Sequence, residues 1–293
     1  MKNKYHLAKG FSLIELMITL VLSLLITFAI AQALISSNRS SVTSDGVSQS
    51  QETGRFIMSF LARQIRQSGL NSISNNIISS PTLISCTNFP DLVDNNACII
   101  QNGGGENQTT IKDAGIHGDR LAIAWVPPSQ KLEDCSGSTG YIPEGAAAGT
   151  VQTPYTDTDT IINTFWVEYN EDTELSNLMC QGFLLNGADV AGSSSAQSIA
   201  NGVEAMQILY GEATSELPED RQRNVSRYVP ANLVANWDRV YAVRISILTR
   251  SISDVTNEVK TKNYVLADAA PYDMTDAVSR QVFNSTFVIN NYR

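Results

Sequence analysis

The first feature of the sequence is an unbroken apolar stretch near its amino terminus. From Phe11 to Ile35 the only charged side chain is Glu15, whereas residues 1–10 carry three lysines and no acid. At about 1.5 Å per residue, a helix of this length spans roughly 37 Å, which exceeds the roughly 30 Å of a bilayer's hydrocarbon core. The pattern predicts a membrane-spanning helix whose lysine-bearing end is cytoplasmic and whose remainder lies outside.

Two alternatives fit this stretch less well. A secretory signal peptide has a shorter apolar region, of about 7–15 residues, and Ala29, Ala31 and Ala33 form only a weak cleavage site. A plain signal anchor leaves Glu15 unexplained, because a carboxylate within a membrane span costs about 2.5–3.5 kcal/mol. We therefore expect the carboxylate to have a partner.

A second helical pattern follows the apolar stretch. Large apolar residues recur at spacings of three and four, which predicts one buried face of a helix. That face comprises Phe56, Ile57, Phe60, Leu61 and Ile65. Gly69 is the predicted end of the helix. Gly46, Gly54 and a serine-rich run over 36–50 have low helix propensity, so we expect the helix to loosen or bend there.

After Pro81, short apolar runs alternate with stretches rich in Asn, Ser, Thr and Gly. Such runs predict strands joined by loops. The predicted strands are 121–126, 161–169, 182–185, 203–210, 240–249 and 282–289. The predicted surface loops are 101–120, 127–160, 186–200 and 211–235. These elements predict an α+β fold in which an antiparallel sheet packs on the long helix.

The composition of the chain argues against some classes of function. The 293-residue chain has 20 basic and 29 acidic residues, which give a formal charge of −9. Because nucleic-acid binding needs clustered Lys and Arg, we expect no nucleic-acid partner. His6 and His117 are the only histidines in the sequence, which leaves little for a histidine-based metal site. We expect neither a metal nor an organic cofactor.

The residues around Glu15 resemble the signature of type IV prepilins. Residues 10–16 read Gly-Phe-Ser-Leu-Ile-Glu-Leu and follow a short basic leader. The resemblance implies cleavage after Gly10 by a prepilin peptidase and N-methylation of the new amino terminus on Phe11. It also implies that Glu15 pairs with the amino terminus of a neighbouring subunit in a filament, where a buried carboxylate needs a fixed positive partner. Loss of the leader lysines would change the formal charge to −12.

Five further segments resemble the PilW-like minor pilins. In chain order they are 54–70, 119–125, 201–211, 240–246 and 280–286. The resemblance implies a type IV pilin-like fold with four parts. These are a prepilin leader over 1–10, a transmembrane and filament-core helix over 11–35, an amphipathic helix over 36–70, and a periplasmic β-rich domain over 71–293.

The same family implies a minor pilin that helps to initiate type IV pilus assembly and lies in or near the pilus tip. Its implied partners are the prepilin peptidase, other minor pilins, the major pilin, the inner-membrane assembly platform and a tip adhesin. The protein would be a single-pass inner-membrane protein with a periplasmic C-terminal domain before it enters the pilus. Two alternatives remain open: a J-type pseudopilin of type II secretion, and a tip module for binding or adhesion.

Four cysteines, Cys86, Cys98, Cys135 and Cys180, lie on the predicted exported side. None belongs to a Cys-x-x-Cys pair, so the usual zinc spacings are absent. An oxidising compartment favours two disulfides, for which three connectivities exist. We favour Cys86–Cys98 and Cys135–Cys180, with free buried thiols as the alternative.

The remaining candidate chemistry is weak. Asp157 and Asp159 offer oxygen ligands, but their spacing lacks the calcium-loop pattern, so a solvated acidic loop is the better interpretation. His117 lies between glycines, and no Gly-x-Ser-x-Gly nucleophile motif accompanies it. We therefore expect no enzymatic activity.

The prepilin resemblance predicts the mature amino terminus. In cells with an active prepilin peptidase, intact-mass measurement of the purified protein should show a chain that begins at Phe11 and carries one added methyl group. Cells that lack the peptidase provide the control and should retain residues 1–10. A mature protein that still carries the leader in peptidase-positive cells would contradict the assignment.

Overall fold

The computed structural model describes residues 11–69, 83–84, 97–99, 118–129, 132–187, 189–213, 224–255 and 259–290. Helix α1 spans Leu13–Gln67. The strands are β1 Leu121–Trp125, β2 Gly140–Pro143, β3 Thr153–Pro154, β4 Thr160–Asn170, β5 Leu175–Asn186, β6 Asp189–Ser193, β7 Gln197–Asn201, β8 Val203–Glu212, β9 Arg227–Val229, β10 Val240–Arg250, β11 Lys260–Tyr264, β12 Tyr272–Asp276 and β13 Arg280–Val288. Two short 3₁₀ helices, Ala231–Leu233 and Trp237–Arg239, precede β10.

The chain forms two compact units, Met1–Asp45 and Gly46–Arg293. The described part of the first unit is helical from Leu13 onward, and nearly all of its side chains are exposed. The second unit contains the last turns of α1 and all of the strands. A hydrophobic core exists only in the second unit among the described residues.

The strands form three antiparallel sheets. The largest has seven strands in the order β1-β4-β5-β6-β2-β3, with β7 also paired to β5. The second has four strands in the order β13-β10-β8-β9, and the third is the β11–β12 pair. The long helix packs on these antiparallel sheets, which confirms the predicted α+β, pilin-like fold.

The six predicted strands are all present, although the segment at 182–185 is the end of the longer β5. The loop predictions were wrong in part. The predicted loop 127–160 contains β2 and β3, 186–200 contains β6 and β7, and 211–235 contains β9, while β11 and β12 lie in a region with no predicted strand. Apart from β12, where the buried Tyr272 and Met274 alternate with polar residues, these short strands carry little apolar alternation. Their neighbours in the sheets supply the backbone hydrogen bonds that order them. Most of the predicted loop 101–120 lies outside the described residues.

One buried core joins the end of α1 to both larger sheets. Ile57, Leu61 and Ile65 are fully buried, and they belong to the same cluster as Phe165 of β4 and Ile245 of β10. This confirms most of the predicted helix face. The exception is Phe56, which is 47% exposed because it lies one position away from the row of buried residues.

The helix does not break or loosen over 36–50, contrary to the expectation from its serines and glycines. Gly46, Ser50 and Gly54 are buried at intervals of four residues, so they form one narrow stripe on the helix. The stripe faces Val255, Thr249 and Phe283.

The stripe lets the helix approach the sheet closely. A Cβ atom on Gly54 would overlap the ring of Phe283, and one on Gly46 would overlap Val255. Between these glycines, the Ser50 hydroxyl lies 2.9 Å from the Thr249 hydroxyl. The small residues therefore serve packing, and the tertiary contacts outweigh their low helix propensity.

The helix ends as predicted. Gly69 has a positive φ of 71°, a conformation that glycine adopts without steric cost. Its N–H donates to the carbonyl of Ala124 in β1 at 2.8 Å. The end of the helix is therefore fixed to the edge of the seven-stranded sheet.

Cys135 and Cys180 form a disulfide, with Cα atoms 6.2 Å apart, which confirms one of the two predicted bridges. Its sequence separation is 45 residues, so loop-closure entropy gives a stabilisation of about 4 kcal/mol. Cys98 is also disulfide-bonded. Because Cys86 lies outside the described residues, the Cys86–Cys98 pairing stays a prediction.

The close approach at Gly54 predicts an unusual mutational result. Gly54→Ala should destabilise the second unit by about 1–2 kcal/mol, because the added methyl group displaces the Phe283 ring even though alanine is the better helix former by about 1 kcal/mol. Chemical denaturation of the full chain in detergent, followed by near-ultraviolet circular dichroism, measures this change. Ser48→Ala on the exposed side of the same helix is the control and should be neutral or slightly stabilising. Equal stability of the two variants would contradict the packing role.

Candidate functional site

The apolar part of α1 is exposed along its whole length. Its large side chains from Leu13 to Ile35 are 52–76% exposed, and Phe11 before the helix is 78% exposed. A contiguous apolar surface of this size is not stable in water. Among the described residues, α1 is the one helix that is long and apolar enough to cross a membrane. Its surface therefore requires lipid or the apolar surface of other proteins.

Glu15 lies in the first turn of this helix and is exposed. The helix begins where the Ser12 carbonyl accepts from the N–H groups of Glu15 and Leu16, at 3.1 and 3.2 Å. A carboxylate in the first turn interacts favourably with the positive end of the helix dipole. Within the described residues the Glu15 side chain has no hydrogen-bond or ion-pair partner.

The other polar side chains in the apolar segment bond to the helix itself. Thr19, Ser23 and Thr27 each donate to a backbone carbonyl three or four residues earlier, at 2.8–2.9 Å. Such bonds allow hydroxyl groups to enter an apolar environment at little cost. The Glu15 carboxylate cannot be satisfied in this way, so a positive group from outside this helix is needed when the segment leaves water.

The proposed processing residues are only partly described. Glu15 lies four positions after Phe11, so the amino group of a chain beginning at Phe11 would lie at the same end of the helix. Gly10 lies outside the described residues, as do His6, His117 and Cys86.

The second unit contains a buried ion cluster. Two of the segments that resemble the PilW-like proteins, 201–211 and 280–286, contribute residues to it. Arg280 of β13 donates to the Glu204 carboxylate of β8 through Nε, and through Nη2 at 2.9 Å. It also donates to the two carboxylate oxygens of Asp276 in β12, each at 2.6 Å. Nη1 of Arg250 in β10 lies 3.6 Å from Oε1 of Glu204. Four strands are joined through one guanidinium group and its neighbours.

The centre of the ion cluster is buried, and the pKa values of two of its members, Arg280 and Asp276, are shifted. The side chains of Arg280 and Glu204 are 3% and 2% exposed. Burial alone would lower the pKa of Arg280, but hydrogen bonds and the charges of Asp276 and Glu204 raise it above its ordinary value. Burial alone would raise the pKa of Asp276, but Arg280 holds it below its ordinary value. Both shifts favour the charged forms of Arg280 and Asp276.

A second polar connection joins Asp119 to β8. The Asp119 N–H donates to the Met206 carbonyl at 2.7 Å, and its carboxylate accepts from the Ile208 N–H at 2.8 Å. The adjacent Arg120 is buried and donates through Nε to the Cys98 carbonyl at 2.9 Å. Burial lowers the pKa of Arg120 to about 10. The Asp119–Arg120 pair thus fixes the chain around Cys98 against the core.

Sequence reasoning did not identify Glu204, Asp276 and Arg280 as partners. A signal was present, because Glu204 is the single charge in the otherwise uncharged run Val203–Tyr210 of a predicted strand, and a buried charge requires a partner. The identity of the partner was not available, since Arg280 is 76 residues further along the chain.

Of the weaker candidates, Asp157 and Asp159 lie within the described residues. In the described parts of the chain, no group of three or more His, Cys, Asp or Glu side chains could hold a metal ion. The Asp159 carboxylate accepts from the Thr156 N–H at 2.8 Å, and Asp157 is exposed. The Asp159 carboxylate is therefore bonded to the backbone of its own turn.

Two family models match the chain. The model for PilW, described as type IV pilus-assembly protein W, covers residues 164–291, and the prokaryotic N-terminal methylation motif covers residues 6–31. No curated protein and no solved structure matches the chain. The matched families are structural, and they cover the apolar helix with Glu15 and the sheets that contain the ion cluster. The two matches together support the assignment of the chain as a pilin of the type IV pilus, similar to pilus-assembly protein W over residues 164–291.

Proposed function

We propose that this minor pilin helps to initiate type IV pilus assembly and lies in or near the pilus tip. The observation that carries the proposal is the exposed apolar helix with one unpartnered carboxylate, on a chain whose second half matches a pilus-assembly protein. An apolar helix of this kind is stable first in a membrane and then among other such helices.

The proposed sequence of events begins with processing. Before cleavage, the helix anchors the protein in the inner membrane, and the unit that carries the sheets lies in the periplasm. That location agrees with its disulfide, because disulfides persist in oxidising compartments. The prepilin peptidase cleaves after Gly10 and methylates the amino group of Phe11, which creates a positive charge at the start of the helix.

Assembly then provides the missing partner of Glu15. In a dry array of helices, the carboxylate pairs with the amino terminus of a neighbouring pilin, and the pair sets the axial position of one helix against the next. Other minor pilins and the major pilin supply these neighbours, while the inner-membrane platform inserts them. A tip adhesin would attach above the minor pilins.

The assembly role predicts the phenotype of a clean deletion. Surface pili should be lost or strongly reduced, and expression of the gene from a plasmid should restore them. Counting pili on cells by electron microscopy measures this directly. Normal piliation with a defect in protein secretion would instead identify a secretion pseudopilin, and normal piliation with lost attachment would identify a dispensable tip module.

The ion-pair role predicts the behaviour of Glu15→Ala. The variant should insert and be cleaved normally, because the leader and Gly10 are unchanged. Its incorporation into pili should fall by about a hundredfold or more, since removal of one member of a buried charge pair costs about 3–5 kcal/mol. Immunoblots of sheared pili against whole cells give the ratio. Thr19→Ala, one turn further along the helix, is the matched control and should assemble normally; normal assembly of Glu15→Ala would refute the pairing.

A further inference from the structure

Strand β13 forms one edge of the four-stranded sheet, next to β10. Nine consecutive residue pairs join the two strands, from Arg250 with Arg280 to Ala242 with Val288, without a register shift. The edge is therefore long and regular. A regular edge exposes a row of backbone groups that can pair with another strand.

The hydrogen bonds at the two ends of β13 show which of its backbone groups face outward. The Ile289 N–H donates to the Tyr241 carbonyl at 2.9 Å, and the Ser251 N–H donates to the Ser279 carbonyl at 2.8 Å. In an antiparallel pair, alternate residues bond to the neighbouring strand. The odd-numbered residues of β13 therefore bond to β10, and the even-numbered residues direct their N–H and C=O groups away from it.

The outward row consists of Val282, Asn284, Thr286 and Val288. No backbone hydrogen bond from another described residue reaches these four residues. The side chains of Asn284, Thr286 and Val288 are exposed. The row offers four donors and four acceptors at the spacing of an antiparallel strand.

Other sheet edges in the described chain are short or blocked. Strand β3 has two residues and includes Pro154, and β9 has three residues and is followed by Pro230. At β1, the Ile84 N–H donates to the Ala122 carbonyl at 3.2 Å. Strand β7 is five residues long and has a register shift against β5.

The small β11–β12 sheet is protected by charge. Strand β11 carries Lys260 and Lys262, and β12 carries Asp273 and Asp276. Prolines, charges, bulges and short length are the usual devices that prevent an edge from pairing with another chain. Strand β13 has none of them beyond Arg280, because residues 281–290 contain no charge and no proline.

We infer that the β13 edge binds an extended strand of another protein, which joins the four-stranded sheet as a fifth strand. The matching segment is about seven residues long and uncharged. It places small polar side chains beside Asn284 and Thr286 on one face and apolar side chains beside Phe283 and Phe287 on the other. Main-chain hydrogen bonds give the affinity, and this alternation gives the register.

A second copy of this chain is the main competitor for the edge. Residues 282–288 read Val-Phe-Asn-Ser-Thr-Phe-Val, which is nearly the same in both directions, so two β13 strands could pair with each other in an antiparallel manner. However, Ser50 contacts Thr249, which pairs with Gln281, and Gly54 faces Phe283. The helix thus runs along β13 in the same direction.

Antiparallel pairing of two β13 strands would set these helix segments of the two copies in opposite directions. Pilins that are inserted from one membrane into one filament keep their helices in the same direction. The choice of another protein over a second copy therefore rests on the proposed function. The observation that β13 is an edge strand among the described residues does not rest on it.

Site-specific photo-crosslinking in living cells tests the inference. The full chain, with benzoylphenylalanine in place of Val288, is irradiated in piliated cells, and the crosslinked peptides are identified by mass spectrometry. Val151, which is 85% exposed and lies between β2 and β3, is the control position. We expect benzoylphenylalanine at position 288 to form an adduct with an uncharged segment of another protein in which polar and apolar residues alternate. The same group at position 151 should form no adduct with that segment.

Two substitutions at Asn284 test whether the backbone edge makes the contact. Asn284→Pro removes one outward N–H and no bond to β10, so the adduct should fall about tenfold. Asn284→Thr keeps the N–H and should leave the adduct unchanged. Asn284→Lys provides a second blocking variant that keeps the backbone intact and should also reduce the adduct. Retention of the Cys135–Cys180 disulfide in each variant reports that the unit is folded.

Several outcomes would overturn the inference: no adduct at position 288 above that at 151, an adduct to β13 of a second copy, an adduct to residues of the same chain, or an adduct unaffected by both blocking variants. Pili are counted on the same strains. If the gene is needed for piliation and no adduct forms, only the edge inference fails; if the adduct forms and the deletion strain is normally piliated, only the assembly role fails.

Discussion

The second unit depends on the close approach of α1 to the four-stranded sheet through Gly46, Ser50 and Gly54. The stripe has no side chain larger than a hydroxymethyl group, so Phe283 and Val255 fill the space that side chains of the helix would otherwise occupy. The next turns then bury Ile57, Leu61 and Ile65 against both larger sheets. A larger residue in the stripe would force the helix away from the sheet and disturb all of these contacts.

The ion cluster around Arg280 complements this packing. Apolar contacts do not depend strongly on orientation. The hydrogen bonds from the planar guanidinium of Arg280 to Glu204 and Asp276, in contrast, require a fixed geometry. The cluster therefore fixes how β12 and the start of β13 lie against β8. Because each charged group is paired, the burial of the cluster is tolerated, and loss of one member would leave an unpaired charge in the interior.

The two units place opposite requirements on one helix. In its first part, α1 presents apolar side chains outward and holds a single carboxylate that its own residues do not satisfy. In its last turns, α1 buries one face and leaves Phe56 and its neighbours exposed. The first part gives the chain its need for lipid or for the apolar surface of other proteins, and the second part packs against the sheets.

The local features of the protein could be predicted from its amino-acid sequence. The apolar run to Ile35, the Gly-Phe-x-x-x-Glu arrangement, the end of the helix at Gly69 and the alternation in β10 and β13 are each contained within a few turns or one strand, so periodicity and propensity suffice to predict them. Contacts between residues far apart in the chain became apparent from the folded structure alone. The glycines of the helix were predicted to weaken it, but Phe283 and Val255 make them necessary for packing. Strands β2, β6 and β9 have no strong apolar pattern of their own, and they are ordered by hydrogen bonds from adjacent strands. The partners of Glu204 and the outward direction of alternate backbone N–H and C=O groups on β13 follow from the pairing of strands that are far apart in the chain. A local sequence pattern contains no information about that pairing.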